Sequence, residues 1–191
     1  MAFSANDGPV VITAIAGSGK DELLKLLLTT YGDRFGKAVS HTTRAPREGE
    51  VDGVAYYFVN DIEFDRLREE GAFIEEVSVH KNRYGMSRAA VADVGKQGKR
   101  CAMILDHHGL DQFRQQGLAP FAILIQAPPV DVVRKRMELR GDKPHDIATR
   151  LETAERERAY YDAHPEQFNA RVCNDGTLAD AWAELQTVLG L

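Results

Sequence analysis

The sequence contains few cysteines and lacks a long apolar run. Cys101 and Cys173 are its only cysteines, too few for the disulfide framework that stabilises small secreted domains. No window of about 18 apolar residues is present that could span a bilayer. The first residues, MAFSANDGPV, have neither the basic start nor the apolar stretch of a secretory signal. These absences predict a cytoplasmic protein that has no membrane partner.

An excess of positive charge is also missing. The net charge is -5, which argues against a protein whose main role is to coat nucleic acid. The apolar content of 43% and the charged content of 28% are ordinary for a globular protein, and 191 residues are enough for one domain with a substantial core. We therefore expect a single domain over residues 1–191 that is a monomer or a homodimer and binds small molecules rather than nucleic acid.

Short apolar runs alternate with longer amphipathic segments along the chain. Residues 10–14 are typical of a buried strand, and residues 21–30 place four leucines on one helical face. This alternation predicts an α/β fold with a mostly parallel sheet and helices on both faces. Residues 37–87 contain short extended pieces and turns instead, so we expect a small subdomain there, between core segments at about 8–36 and 88–191.

The other predicted elements follow from the same periodicity. A polar segment at residues 140–146, RGDKPHD, predicts a mobile flap between two helices. Further strands are predicted at 38–41, 56–59, 73–79, 101–105, 121–126 and 171–173, and further helices at 61–70, 88–97, 130–139, 147–161 and after Thr177.

Residues 14–21, AIAGSGKD, join the first predicted strand to the first predicted helix. They approach the pattern G-x-x-x-x-G-K-[ST], in which backbone N–H groups surround a phosphate and the lysine neutralises it. Gly19 and Lys20 fit this pattern, whereas Ala14 replaces the first glycine and Asp21 replaces the magnesium-binding serine or threonine. Asp21 supports two interpretations, because a carboxylate binds Mg²⁺ but also repels a polyphosphate. A plain glycine turn into a helix capped by Asp21 is the alternative.

A second phosphate-binding pattern lies downstream. Ser40, Arg44, Arg47 and Tyr56 fall within a segment predicted to form a strand, a turn and a strand. The planar donors of arginine meet phosphate oxygens two at a time, which suits them to grip a phosphate group. Together with the glycine-rich loop, this segment predicts the transfer of a phosphoryl group from one phosphate to another.

The same segment resembles the guanylate kinase family. Residues 40–58, SHTTRAPREGEVDGVAYYF, match the family signature S-x-T-T-R-x-P-R-x-G-E-x-x-G-x-x-Y-x-F throughout. A match of this length is highly specific. Shorter matches extend the resemblance over nearly the whole chain, at residues 73–75 (FIE), 82–85 (NRYG, with one change), 139–141 (LRG), 150–151 (RL) and 174–175 (ND).

The resemblance implies a P-loop nucleoside monophosphate kinase that converts ATP and GMP to ADP and GDP, with Mg²⁺ as cofactor and a short lid at about 140–148. It implies three sets of residues. Those for ATP are Gly17, Ser18, Gly19, Lys20, Asp21 and Asn174, with Asp21 as the candidate metal ligand. Those that neutralise the transferred phosphoryl group are Lys20, Arg140 and Arg150. Those for the acceptor are Ser40, Arg44, Arg47, Tyr56 and Tyr84 at its phosphate, Glu75 at guanine, and Asp106 near the reacting phosphates.

Several positions depart from the family pattern. Met86 replaces the serine or threonine that contacts the guanine O6, and Ser87 beside it could take over that contact. Ile104 replaces the first aspartate of L-D-I-D, which leaves Asp106. Asp106 could instead cap the helix that follows it.

These departures leave two other functions open. The GSGKD run and the NDG at 174–176 are similar to ribose bisphosphate kinases, which implies a related kinase with a different phosphorylated acceptor. The altered glycine-rich loop also fits a binding module that has lost catalysis and docks a phosphorylated ligand or partner.

Overall fold

The structure is a computed structural model that describes residues 8–79 and 81–191, without the side chain of Arg140. Strands and helices alternate along the core, as the α/β prediction requires. The strands are β1 (Val10–Thr13), β2 (Phe35–Gly36), β3 (His41–Thr42), β4 (Tyr57–Phe58), β5 (Phe73–Val79), β6 (Asn82–Ser87), β7 (Arg100–Ile104), β8 (Phe121–Gln126) and β9 (Ala170–Cys173). The helices are α1 (Lys20–Thr30), α2 (Asp61–Glu69), α3 (Arg88–Lys96), α4 (His107–Gln115), α5 (Val130–Arg140), α6 (Pro144–Ala163) and α7 (Leu178–Leu189).

A parallel five-stranded sheet in the order β2-β7-β1-β8-β9 forms the core. Strand β1, in the middle of the sheet, is fully buried because helices cover both faces of the sheet. Leucines of α1 and α7 pack on one face together with Val10 and Ile12, whereas α3 and α4 pack on the other face with Val11. This arrangement confirms the predicted fold class.

A second, four-stranded sheet in the order β4-β3-β6-β5 lies within residues 37–87. Its β6 is antiparallel to both β3 and β5, and β3 is parallel to β4. Phe73 anchors this sheet, since its ring lies 4.6 Å from the ring of Phe64 on α2 and 5.5 Å from that of His41. Strand β6 was not predicted, because its sequence NRYGMS lacks the apolar alternation that marks a strand.

The parallel sheet determines where the functional segments lie. The glycine-rich loop follows β1, Asp106 follows β7, and Asn174 follows β9. Because these strands are parallel, their carboxyl ends meet at one edge of the sheet, which is where α/β proteins bind ligands. The structure therefore brings three segments that are far apart in sequence to one edge.

The connection within the predicted flap at 140–146 is shorter than predicted, because residue 140 belongs to α5 and residues 144–146 belong to α6. Helix α5 is capped at its C-terminus by Gly141, whose φ of 86° is left-handed, and α6 begins at Pro144. Proline is favoured in the first turn of a helix, where its missing N–H has no partner to lose. The connection is thus residues 141–143.

Helix α6 has 20 residues, yet among the described helices none combines the length and apolarity needed to cross a membrane.

Replacing Gly85 by alanine should destabilise the small sheet. A Cβ at Gly85 would lie 2.7 Å from two ring carbons of Phe73, so the ring would have to move from its packed position. We expect Gly85→Ala to lower the free energy of unfolding by about 1–3 kcal/mol, as overpacked cores do. Urea denaturation measures this change.

Gly95→Ala is the matched control, because a Cβ at this glycine of α3 would meet nothing within 4 Å. It should raise the free energy of unfolding by about 0.5–1 kcal/mol, since alanine favours a helix over glycine. A Gly85→Ala protein as stable as the wild type would contradict the tight packing under Phe73.

Candidate active site

The glycine-rich loop has a conformation that only glycine adopts readily. Gly17 and Gly19 have φ values of 77° and 84°, in the left-handed region. A Cβ at Gly19 would also lie 2.4 Å from the Asn174 amide nitrogen. Gly19 caps α1 and Lys20 is its first residue, so the loop ends at a helix N-terminus, where N–H groups and the helix dipole favour an anion.

Asn174 ties the end of β9 to this loop. Its side-chain nitrogen donates to the backbone oxygen of Ser18 over 2.6 Å, and the residue is buried. Arg136 of α5 in turn donates to the backbone oxygen of Asn174 over 3.3 Å. Gly17, Gly19, Arg136 and Asn174 line one cavity of about 330 Å³. Asn174 therefore shapes the predicted ATP site through the backbone, and Arg136 is a wall residue that the sequence prediction missed.

Asp21 extends from the loop into solvent. Its side chain is 76% exposed, and its carboxylate lies 3.8 Å from the ammonium of Lys20. Asp21 lines both the 330 Å³ cavity and a larger one of about 420 Å³. Since the carboxylate is reachable from both cavities, it could contact a metal ion or a phosphate chain in either.

A third cavity, of about 280 Å³, contains Lys20, Asp106, Arg150 and Glu157. Arg150 lies 3.5 Å from the carboxylate of Asp142, in the loop between α5 and α6. The structure thus brings two of the three residues predicted to neutralise the transferred phosphoryl group to one cavity. The third, Arg140, has a side chain outside the described residues.

Glu157 was missed by the sequence prediction. It follows Arg150 by seven positions, so helical periodicity places both on one face of α6, which is the signal that could have found it. Burial and the charge of Asp106 raise the pKa of Glu157, whereas Lys20 lowers it. The cavity therefore contains carboxylates as well as cations.

Asp106 is the N-cap of α4, and its Oδ1 accepts a hydrogen bond from the Gly109 N–H over 2.8 Å. The capping alternative is thus correct. It does not conflict with a role at the site, because a carboxylate has a second oxygen and Asp106 is exposed in the same cavity as Lys20.

The segment predicted to bind the acceptor phosphate presents Arg44 beside two tyrosines. The guanidinium carbon of Arg44 lies 5.4 Å from the centre of the Tyr56 ring, and the Tyr56 and Tyr84 rings meet edge to face at 5.8 Å. Arg44 also forms an ion pair of 2.8 Å with Glu50. Arg47 is exposed, and its backbone N–H donates to the same carboxylate. Arg44, Tyr56 and Tyr84, all predicted to bind the acceptor phosphate, thus form one cluster of side chains. Arg47 is linked to this cluster through Glu50.

The 420 Å³ cavity connects the two sheets. Ser40, Tyr56 and Met86 from the small-sheet region line it, and so do Asp21 and Ile104 from the core. Met86 is buried in the cavity wall. Ser87 is also buried, but its hydroxyl caps α3 by accepting a hydrogen bond from the Ala90 N–H, so its contact with a base stays a prediction.

Glu75 lies between the small sheet and the core. It pairs across the strands with Met86, and a Cβ on Gly109 of α4 would lie 3.2 Å from its side chain. Burial, with the nearby charges of Asp106 and Glu76, raises the pKa of Glu75 to about 7. A half-buried carboxylate is suited to accept hydrogen bonds from a ligand once it is ionised, and the strand partner of Glu75, Met86, lines the 420 Å³ cavity.

Known proteins are similar to this chain over most of its length. A sequence model of the family described as guanylate kinase matches residues 6–190. Guanylate kinase of Sus scrofa is 36% identical over 176 residues, which cover 92% of this chain and 88% of that protein. Guanylate kinase 1 of Oryza sativa subsp. japonica is 36% identical over 184 residues, or 96% of this chain, but the match spans 48% of that longer protein.

A solved structure has the same fold. The crystal structure of guanylate kinase from Anaplasma phagocytophilum superimposes with a TM-score of 0.64 at 26% identity, over 97% of this chain and 86% of that one. The sequence signature, the two-sheet architecture and these relatives agree. The chain therefore belongs to the guanylate kinase family, the ATP-dependent kinases that phosphorylate GMP to GDP.

Proposed function

We propose that three groups of residues around these cavities carry out the transfer of a phosphoryl group from ATP to GMP. The proposed ATP site is Gly17, Ser18, Gly19, Lys20, Asp21 and Asn174. Lys20, Arg140 and Arg150 neutralise the phosphoryl group in transit. Ser40, Arg44, Arg47, Tyr56 and Tyr84 hold the acceptor phosphate, Glu75 and Ser87 contact the base, and Asp106 lies between the two substrates.

One observation supports this assignment above the others. The 420 Å³ cavity has Asp21 of the glycine-rich loop in one wall and Ser40 and Tyr56 of the acceptor segment in another. Asp106 makes a second link, since it shares a cavity with Lys20 and its charge acts on Glu75. Two phosphate-binding segments that open onto common space are what direct transfer between two bound phosphates requires.

The chemistry asks little covalent work of the protein. An oxygen of the acceptor phosphate attacks the γ-phosphorus of ATP, the bond to the β–γ bridging oxygen breaks, and ADP leaves with that electron pair. Arg44 and the tyrosines orient the attacking phosphate, and Lys20 and Arg150 neutralise charge on the group in transit. Positioning and electrostatic stabilisation account for most of the rate in such transfers.

Mg²⁺ bound with ATP is the proposed cofactor, and the residues present fit it. Over residues 8–79 and 81–191 no cluster of three or more His, Cys, Asp or Glu could hold a metal ion by itself. Mg²⁺ in kinases is held instead by one or two carboxylates together with substrate phosphates and water. Asp21 and Asp106 are exposed carboxylates in cavities proposed for phosphate; Asp21 lies 3.8 Å from Lys20, and Asp106 shares a cavity with Lys20. When bound, the ion supplies positive charge to the phosphate oxygens.

The wider setting is also proposed. Residues 37–87 act as the acceptor-binding subdomain and about 140–148 as a short lid, on a single domain that works as a monomer or a homodimer. Both cysteines are free, with Cys101 buried and Cys173 exposed, which suits a reducing compartment such as the cytoplasm.

A panel of acceptors tests the proposed function. ADP release with Mg·ATP should be saturable with GMP and dGMP, and much slower with AMP, UMP or ribose bisphosphate, because Glu75 accepts hydrogen bonds that only guanine donates in that pattern. Turnover with ribose bisphosphate but not with GMP would instead show a related kinase that has a different phosphorylated acceptor. Tight GMP binding with no turnover on any acceptor would select a binding module.

Arg44→Ala should weaken acceptor binding selectively. It removes charge-assisted contacts to the acceptor phosphate, so we expect the KM for GMP to rise roughly tenfold to a hundredfold while the KM for ATP stays within about twofold. Steady-state kinetics with each substrate varied measure both constants. Arg66→Ala is the control, because Arg66 of α2 is exposed and its ion pairs are with Glu63 of the same helix and with Glu70, the C-cap residue. If both substitutions raised the KM for GMP equally, the assignment of Arg44 to the acceptor phosphate would be refuted.

The pH dependence should report Glu75. Its carboxylate must be ionised to accept from guanine, and its pKa is raised to about 7, so protonation as the pH falls removes the acceptor. We expect kcat/KM for GMP to rise with pH through about 7 and then level off. Glu75→Gln should lower kcat/KM and remove this inflexion. An unchanged inflexion in that variant would assign the titration to another group.

A further inference from the structure

Glu50 uses both of its carboxylate oxygens inside the acceptor segment. Oε1 accepts from Arg44 Nη2 over 2.8 Å, and Oε2 accepts from the backbone N–H of Arg47 over 2.7 Å. Both side chains of the ion pair are shielded, with 13% of Arg44 and 22% of Glu50 exposed. The contact with Arg44, followed by that with the Arg47 N–H, lowers the pKa of Glu50, so it is ionised at neutral pH.

The local sequence explains how Glu50 reaches both partners. The backbone N–H of Glu50 donates to the oxygen of Arg47 over 3.1 Å, and Gly49 between them has a φ of 80°. A hydrogen bond from the fourth residue to the first, with a left-handed third residue, is typical of a type II turn. The turn folds the chain back, so that the carboxylate of Glu50 faces the guanidinium six positions earlier.

The consequence for Arg44 is a fixed guanidinium plane. Besides Glu50, its Nη1 donates to the backbone oxygen of Ala45 over 2.8 Å, and the group lies near the rings of Tyr56 and Phe58. A guanidinium carries five N–H donors, so these two contacts leave others available. Glu50 therefore holds Arg44 in orientation without using up its capacity to bind a phosphate.

We propose that Glu50 is a positioning residue for the acceptor phosphate, acting through the guanidinium of Arg44 and the backbone of Arg47. The inference rests on the proposed function, since it assigns the anion that Arg44 binds. The proposal predicts the direction in which Glu50 changes the affinity for the acceptor. A carboxylate that merely competed with the phosphate would weaken acceptor binding, whereas a positioning carboxylate strengthens it despite its like charge.

Glu50→Gln tests whether Glu50 strengthens or weakens acceptor binding. The amide keeps the size, but in the same orientation its NH2 group would face either Arg44 or the Arg47 N–H, where Glu50 presents an acceptor oxygen to each. We expect the KM for GMP to rise about tenfold or more, with kcat and the KM for ATP within about twofold. Glu50→Asp, which keeps the charge on a shorter side chain, should recover part of this loss.

Glu48→Gln is the matched control. Glu48 lies in the same turn and is exposed, and over the described residues no hydrogen bond or ion pair is recorded for it. The same charge is removed two positions away, so a general loss of negative charge would appear in both variants. We expect the kinetic constants of Glu48→Gln to match those of the wild type.

Direct binding separates the phosphate grip from the base pocket. Calorimetry with GMP and with guanosine, both without ATP, should show that Glu50→Gln loses affinity for GMP and keeps its affinity for guanosine. An unchanged or lowered KM for GMP would overturn the inference, and so would an equal loss of affinity for GMP and guanosine.

Two further outcomes remain decisive. If thermal melts show that Glu50→Gln does not fold, Glu50→Asp carries the same comparison of GMP with guanosine. If the wild type fails to phosphorylate GMP, the proposed function fails, while the binding comparison still decides whether Glu50 positions Arg44 for a phosphate.

Discussion

Repulsion between two phosphate groups is the constraint on which the structure depends. A donor and an acceptor must approach closely, and like charges at short range repel strongly outside water. The chain supplies one cation from each of the two segments proposed to bind phosphate, with Lys20 at a helix N-terminus and Arg44 beside two tyrosines. The parallel sheet serves this purpose because it delivers the glycine-rich loop and Asp106 to one edge, and the small sheet supplies the opposite wall.

A carboxylate lies beside each of three cations of the proposed site. Glu50 fixes Arg44, Asp142 lies beside Arg150, and Asp21 lies near Lys20. The first pair is shielded, and the second oxygen of Glu50 accepts from the Arg47 N–H, so Glu50 fixes the orientation of Arg44. The other two pairs have one exposed partner each and contribute little by themselves. The acceptor side is thus more rigidly prepared for its ligand than the donor side.

The sequence predicted the fold class and the segments of the site because those features are local. Glycines at left-handed positions, apolar strands and an arginine-rich turn leave short-range patterns. Strand β6 escaped prediction because it owes its pairing to neighbours on both sides rather than to its own alternation. Arg136 was not predicted because only tertiary packing brings it to a cavity, whereas Glu157 could have been found from its helical spacing to Arg150. Helix α6 begins at Pro144, three residues before the predicted start at 147, because proline in RGDKPHD indicates a turn by sequence but here starts a helix.

The central claim is that one chain holds the phosphate of GMP facing the triphosphate of ATP across common space. A compound in which adenosine and guanosine are joined through five phosphates tests this directly by calorimetry. The account predicts that one molecule binds per chain, more tightly than ATP or GMP alone, and that either nucleotide displaces it. Binding of two molecules per chain, an affinity no higher than that of ATP, or displacement by one nucleotide only would contradict it.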